Sequence, residues 1–186
     1  MAAPRPKDEL RRLLRAHAVL RGDFVLSSGR RSNVYLDGRL VTLSARGAVL
    51  VGQSFLEALG SSNVEGVAGL TLGADPIVSA IAAVSGFQGG TVDGLIIRKQ
   101  AKQHGAGRRI EGPFRADMRV AIVDDTLTTG ASALEAAEVV RAAGARIVRI
   151  WAMIDREEGA REAVSVAGYE FDRLFTSAEL LDDEQP

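Results

Sequence analysis

Apolar runs alternate with amphipathic segments along the chain from residue 64 onwards. Short apolar runs predict strands at 64–70, 92–98, 119–123, 145–154 and 169–175. Segments with apolar residues at helical spacing predict helices at 74–85, 131–144 and 157–168. Because strands that alternate with helices usually pair in parallel, the pattern predicts an α/β fold with a central, mostly parallel sheet flanked by helices.

The N-terminal part of the chain has a different pattern. A helix is expected over 8–20, and a second one over 44–59. The first helix has an apolar face made of Leu10, Leu13, Leu14 and Ala18. Between the two helices, residues 24–43 predict short β-pieces around a polar turn.

The composition excludes several classes of protein. The chain has 186 residues, 46% of them hydrophobic, which is enough for one domain with its own core. It has no cysteine and two histidines, so disulfide frameworks, thiolate sites and a histidine-rich metal cage are excluded. A formal net charge of −1 argues against a dedicated nucleic-acid binder. The chain has neither an apolar run near the ~18 residues of a membrane span nor a signal peptide, so we expect a soluble, cytoplasmic protein.

The clearest chemical motif is VAIVDDTLTTGAS, residues 120–132. An apolar strand is expected to end in two carboxylates, Asp124 and Asp125, before a turn rich in threonine, glycine and serine opens a helix. Backbone N–H groups at such a helix N-terminus can bind a phosphate. The carboxylates can accept hydrogen bonds from vicinal hydroxyls or hold a hydrated Mg²⁺. A cap would need only one Asp, so the motif favours a site for a ribose 5-phosphate.

A second motif is the basic segment RKQAKQHGAGRR, residues 98–109, with a local charge of +5. Two of the chain's three lysines, Lys99 and Lys102, lie here, although the chain otherwise uses arginine. His104 can titrate near neutrality, and a cationic loop of this length suits a polyanion such as pyrophosphate. A solvated basic loop would show the same run of charges, so this interpretation depends on the 120–132 motif.

Residues 120–132 resemble the signature of the type I phosphoribosyltransferases, which bind 5-phosphoribosyl 1-pyrophosphate (PRPP). The resemblance implies their fold, with a small N-terminal hood and a flexible catalytic loop beside the central sheet. It implies a single domain, with the hood at about 1–43 plus C-terminal pieces and the core at about 44–175. It also implies that Asp124 and Asp125 hold the ribose hydroxyls, with Asp125 catalytic. The loop that holds the 5-phosphate would be Thr126, Leu127, Thr128, Thr129, Gly130, Ala131 and Ser132.

The stretch IRKQAKQHGAGRRIEG is very similar to the catalytic loop of orotate phosphoribosyltransferases. The matching positions imply PRPP contacts from Arg98, Lys99, Lys102 and His104, with Lys102 and His104 catalytic. In that family the loop closes over the site of a neighbouring subunit. The resemblance therefore implies a homodimer that shares this loop.

The pyrophosphate of the donor would be received by residues 69–82, which resemble the family's pyrophosphate loop. The contacts are expected from Thr71, Leu72, Gly73, Ala74 and Asp75. Other members have a lysine at Gly73. Asp75 suggests that a metal-mediated contact takes its place here.

Orotate would be bound by three residues of other segments. Residues 24–39 resemble the hood that shapes the base pocket around Tyr35, although Ser27 stands where some members have a lysine. Arg156 matches the arginine that binds the carboxylate of orotate. Thr128 is expected to contact orotate as well.

Together these segments imply Mg²⁺-dependent transfer of ribose 5-phosphate from PRPP to N1 of orotate in pyrimidine biosynthesis. The products would be orotidine 5′-monophosphate and pyrophosphate. Mg²⁺ is expected to be held mainly by PRPP, with no firm protein ligand. Two alternatives are an enzyme for another base, against which Arg156 argues, and a PRPP-sensing regulator, against which the loop cations argue. An attached decarboxylase domain is not expected in a chain of this length.

Overall fold

The computed structural model describes residues 4–25, 31–60, 62–100 and 109–182. Its strands are β1 (Val19–Val25), β2 (Arg31–Leu36), β3 (Gly66–Leu70), β4 (Asp93–Ile97), β5 (Ile110–Glu111), β6 (Arg119–Leu127), β7 (Arg146–Asp155) and β8 (Phe171–Thr176). The first two form an antiparallel hairpin. The other six form a sheet in the order β5–β4–β3–β6–β7–β8, with every pair except β4–β5 parallel. The predicted α/β fold is confirmed.

The helices account for most of the remaining described residues. They are α1 (Pro6–Leu13), which continues as a π-helical turn (Leu14–Ala18), α2 (Arg39–Thr42), α3 (Ala45–Leu59), α4 (Asp75–Phe87), α5 (Ala131–Ala142), α6 (Ala160–Val166) and α7 (Ser177–Leu181). Ser44 caps α3 by accepting a hydrogen bond from the backbone N–H of Gly47. Within the described ranges, no helix has the length and apolar character needed to cross a bilayer.

The sheet is covered on both faces by helices. Along the central strand β6, Val120 and Ile122 pack into one apolar cluster, which includes residues of α5. Ala121 and Val123 point the other way, into a second cluster that includes residues of α3 and α4. Because successive side chains of a strand point to opposite faces, an uninterrupted apolar run is what a strand buried on both faces requires.

The N-terminal helix is displaced from its predicted bounds. The sequence predicts a helix over 8–20, but α1 begins at Pro6 and the helical structure ends at Ala18. Val19 already pairs with Leu36 in the hairpin. Pairing across the hairpin decides this boundary, because the exposed strand β1 has no strong apolar pattern of its own.

Two predicted strand ends are also wrong. The β-pieces expected over 24–43 give way to the helical turn α2, because Oδ1 of Asp37 accepts a hydrogen bond from the backbone N–H of Arg39 (3.1 Å) and starts a turn. The strand expected over 119–123 runs on to Leu127, because its pairing with β7 continues to that residue. The two acids, which the motif was expected to place at the end of the strand, therefore lie within β6, and the strand ends two residues after Asp125.

Helices α3 and α4 pack closely because Gly52 lies between them. A Cβ at Gly52 would lie 2.6 Å from the carbonyl oxygen of Ala80 and 2.6 Å from Cγ2 of Val84. The glycine lowers the helix propensity of α3, but it allows the backbone of α4 to approach. We infer that this contact, and not helix propensity, decides the residue at this position.

We predict that Gly52→Ala lowers the free energy of unfolding, because the added methyl group meets a backbone carbonyl. The control is Gly86→Ala in α4, where the added methyl would have no atom within 4 Å. It should raise the free energy of unfolding by about 0.5–1 kcal/mol through helix propensity. Urea denaturation of both variants measures this, and a stabilising Gly52→Ala would contradict the packing argument.

Candidate active site

The carboxyl ends of β3 and β6 form the crevice in which we place the candidate site. These two strands are neighbours in the sheet, but the chain runs from β3 to β4 on one side before it returns to β6 on the other. Ligands of open α/β sheets bind at such a switch point, beyond the carboxyl ends of the strands. The segments that follow β3 and β6 are those predicted to bind pyrophosphate and ribose 5-phosphate.

The two acids near the end of β6 are held by short hydrogen bonds. Asp124 is 5% exposed. Its Oδ2 accepts a hydrogen bond from Oγ of Ser132 (2.6 Å), and its Oδ1 accepts one from the backbone N–H of Asp125 (2.9 Å). Asp125 in turn accepts a hydrogen bond from the backbone N–H of Thr126 (2.7 Å). The first acid is therefore tied to the first turn of α5 through Ser132.

The turn after β6 leads directly into α5. Gly130 precedes the helix with a φ of +81°, a conformation that favours glycine. The first N–H groups of α5 have no partner within the helix and are suited to an anion. Oγ1 of Thr126 is buried and has no hydrogen-bond partner in the described structure. The end of β6 and the first turn of α5 thus offer unused donors next to the acid pair.

The predicted pyrophosphate loop touches the second acid. A Cβ at Gly73 would lie 2.8 Å from Oδ1 of Asp125, so a glycine leaves room for the carboxylate. Oγ1 of Thr71 donates a hydrogen bond to Oδ2 of Asp75 (2.7 Å). The other oxygen of Asp75 is buried without a partner among the described residues.

Residues 37–39 also lie near the acids, whereas the resemblance of residues 24–39 to the hood implied a place at the base pocket. A Cβ at Gly38 would lie 3.9 Å from both Cβ of Asp125 and Oγ1 of Thr126. Asp37 and Arg39 form a bidentate ion pair with N–O distances of 3.0 and 3.3 Å. The sequence carried a signal for this: an Asp-Gly pair favours a turn, and the turn is followed by a cation.

Arg98 and Lys99 lie beside the pyrophosphate loop. Together with Thr71 and Glu111 they line a cavity of about 460 Å³ at the end of β4. Nη1 of Arg98 lies 3.5 Å from Oε1 of Glu111. The structure therefore brings the start of the basic segment next to the loop after β3. Lys102, His104 and Ser27 lie outside the described residues.

The predicted orotate contacts come from the hairpin and from the end of β7. Tyr35 lies on β2, with its ring centroid 5.6 Å from that of Phe24. The backbone N–H of Arg156 donates to the carbonyl oxygen of Leu127 (2.9 Å), next to the half-buried Thr128. The guanidinium of Arg156 pairs with the carboxylate of Glu158 at 2.8 Å.

No family model matches the chain. The individual relatives that it resembles in sequence nevertheless belong to one family. An orotate phosphoribosyltransferase of Synechocystis is 47% identical over 169 residues, which cover 90% of this chain and 85% of the relative. One of Tropheryma whipplei is 40% identical over 177 residues, covering 95% and 83%.

The chain belongs to the orotate phosphoribosyltransferase family. The crystal structure of the orotate phosphoribosyltransferase of Mycobacterium tuberculosis H37Rv in complex with Fe(III) dicitrate superimposes with a TM-score of 0.86. It is 38% identical and covers 95% of this chain and 99% of its own. The same enzyme in complex with PRPP gives a TM-score of 0.81 at 35% identity, covering 94% and 98%.

In this member of the orotate phosphoribosyltransferase family, burial dominates the electrostatics of the acid pair. Burial raises the pKa of Asp124 to about 7, and the neighbouring charge of Asp125 adds to the increase. Burial also raises the pKa of Asp125, whereas the hydrogen bond from Thr126 and the charge of Arg39 oppose that increase. Without a ligand, the ionised pair is therefore unfavourable at neutral pH.

We predict that Asp124→Asn stabilises the free protein most above pH 7. The wild-type carboxyl is protonated in the folded state below pH 7, but in the unfolded state only below about pH 4. Stability is therefore lost as the pH rises from about 4 to 7, and an amide does not titrate. Melting temperatures at pH 5 and pH 8 measure the difference.

The control for this prediction is Asp117→Asn. Asp117 is exposed, and its positive φ of 63° suits asparagine. Its substitution should change the melting temperature little at either pH. An Asp124→Asn advantage that is equal at pH 5 and pH 8 would contradict the raised pKa.

Proposed function

We propose that this chain transfers ribose 5-phosphate from PRPP to N1 of orotate, forming orotidine 5′-monophosphate and pyrophosphate for pyrimidine biosynthesis. The observation that carries the proposal is that two predicted binding loops meet at Asp125. The predicted pyrophosphate loop meets its carboxylate at Gly73, and the predicted phosphate loop begins directly after it. The pyrophosphate and the ribose 5-phosphate of PRPP are a few bonds apart, and the segments predicted to bind them are neighbours in the structure.

Binding of the donor follows from the chemistry of these segments. In the predicted phosphate loop, Thr126 to Ser132, the N–H groups from Thr128 onward take the 5-phosphate, since the N–H of Thr126 already donates to Asp125. Asp124 and Asp125 accept hydrogen bonds from the ribose hydroxyls. We assign a catalytic role to Asp125, because it also lies beside the predicted pyrophosphate loop. Because the ribose hydroxyls donate to carboxylates, donor binding favours the ionised pair.

The barrier lies in breaking the bond between ribose C1 and the pyrophosphate oxygen. Positive charge develops on the ribose and negative charge on the leaving pyrophosphate, so preorganised cations lower the barrier. Arg98 and Lys99 line the cavity beside Thr71 and supply such charge. Lys102 and His104 would complete the set, with His104 as an acid. The base binds as an anion, held by Tyr35, Thr128 and Arg156, so no strong general base is required.

Mg²⁺ is the proposed cofactor. Oxygen ligands suit Mg²⁺, and the unpartnered carboxylate oxygen of Asp75 fits a contact to it, directly or through water. Within the described ranges, no three acidic or histidine side chains are grouped to hold a metal ion. We assign most of its ligands to PRPP. When bound, it neutralises charge on the leaving pyrophosphate.

A direct assay tests the function. Orotate absorbs in the near ultraviolet, so the protein, Mg²⁺ and PRPP together should cause a fall in absorbance that no two of them cause. Added orotidine 5′-monophosphate and pyrophosphate should reverse the change. PRPP binding without any conversion of orotate would contradict the proposal and favour another base or a PRPP-sensing regulator.

We predict that Arg156→Ala raises the KM for orotate roughly 10- to 100-fold, because a charge-assisted pair with the substrate carboxylate is lost. Glu158→Gln should lower that KM, because Glu158 occupies the same guanidinium in the free protein. The control is Arg141→Ala, which breaks an exposed ion pair of the same 2.8 Å length on α5. An equal loss by Arg156→Ala with an analogue that lacks the carboxylate would contradict the assignment.

We further propose that the protein is a cytoplasmic homodimer in which the catalytic loop of each subunit serves the active site of the other. Co-expression of two variants tests whether the loop is shared in this way. Lys102→Ala and Asp125→Asn should each be nearly inactive alone. If the loop serves the other subunit, a mixed dimer has one site with both changes and one with neither. An equal mixture should then recover roughly a quarter of the wild-type kcat. No recovery, with mixed dimers present, would place the loop in its own subunit's site.

A further inference from the structure

The candidate site gathers negative charge where a polyanion must bind. Asp37, Asp75 and the pair Asp124 and Asp125 all lie around the ends of β3 and β6. The pyrophosphate loop itself, residues 71–75, carries no cation. Repulsion between these carboxylates and the pyrophosphate must be offset by positive charge from another segment.

Arg39 lies where such charge is needed. Its side chain lines a cavity of about 500 Å³ together with Leu72, Asp75 and Pro76. The preceding residue, Gly38, packs beside Asp125. Arg39, the first residue of α2, therefore faces the same cavity as Leu72 and Asp75 of the loop, and its charge acts on Asp125.

The guanidinium is held in place before any ligand arrives. Asp37 accepts hydrogen bonds from Nε and one Nη of Arg39, and also from its backbone N–H (3.1 Å). Two N–H groups of the guanidinium are used in this way, and an arginine has five. About 42% of the side chain remains exposed. The remaining donors are free to bind phosphate oxygens in the fork geometry typical of arginine.

We propose that Arg39 binds the pyrophosphate group of PRPP, and that Asp37 is the positioning residue that holds it towards the loop of residues 71–75. This inference rests on the proposed function, because it assumes that PRPP is the donor. It adds Arg39 to Arg98 and Lys99, the cations that the proposed function already places beside Thr71 of this loop.

The test is calorimetric titration of PRPP with Mg²⁺, without orotate, into the wild type and Arg39→Gln. We expect binding to weaken roughly 10- to 100-fold, which corresponds to the loss of charge-assisted hydrogen bonds to phosphate. The control is Arg46→Gln, since Arg46 forms a similar bidentate pair with Glu9 (2.9 and 2.7 Å) outside the site. That variant should bind PRPP like the wild type.

Steady-state kinetics separate a binding role from a structural one. Arg39→Gln should raise the KM for PRPP and leave the KM for orotate unchanged, at an unaltered melting temperature. Arg39→Lys should recover only part of the affinity, because a lysine cannot form the same pair of hydrogen bonds. Asp37→Asn should weaken PRPP binding less than Arg39→Gln does.

Two outcomes would overturn the inference while leaving the proposed function intact. One is wild-type affinity for PRPP in Arg39→Gln, with the wild type converting orotate normally. The other is a raised KM for orotate in place of PRPP, which would assign Arg39 to the base. A wild-type protein that fails to bind PRPP would instead contradict the proposed function itself.

Discussion

The burial of Asp124 and the partial burial of the adjacent Asp125 in β6 are the constraint on which the rest of the site depends. A buried charge is costly unless hydrogen bonds compensate it. Here Ser132 and two backbone N–H groups supply part of that compensation, and the remaining cost is visible in the raised pKa of Asp124. Under the proposed function, the ribose hydroxyls of PRPP would supply what is missing, since hydroxyl donors favour the ionised pair.

The segments that lie beside these two acids come from separate parts of the chain. The order of the sheet places the loop after β3 beside the end of β6. Gly73, in the predicted pyrophosphate loop, leaves room for the carboxylate of Asp125. Gly38, which precedes Arg39, lies on the other segment beside Asp125, where a Cβ would make an ordinary contact of 3.9 Å with Cβ of Asp125. A side chain at Gly73 would compete with the carboxylate for the same space.

The sequence predicted the elements whose apolar pattern is strong, and the motifs that lie at their ends. The buried strands and the motif at 120–132 are of this kind. The predictions were wrong where strand pairing or turn chemistry decides the structure. The start of the hairpin at Val19, for example, depends on pairing with Leu36. The helical turn after Asp37 depends on one side-chain hydrogen bond. Arg39 was missed because the Asp-Gly pair signals only the local turn, whereas the position of Arg39 beside the site is a tertiary feature.

Infrared difference spectroscopy at pH 6 can measure whether the carboxyl group of Asp124 is protonated in the free protein and ionised when PRPP is bound. We expect the free protein to have a protonated carboxyl band that is absent in Asp124→Asn, because burial raises the pKa of Asp124 to about 7. Addition of PRPP and Mg²⁺ to the wild type should remove this band, as the ribose hydroxyls come to donate to the carboxylate. A free protein without the band, or a band that persists with PRPP bound, would contradict the account.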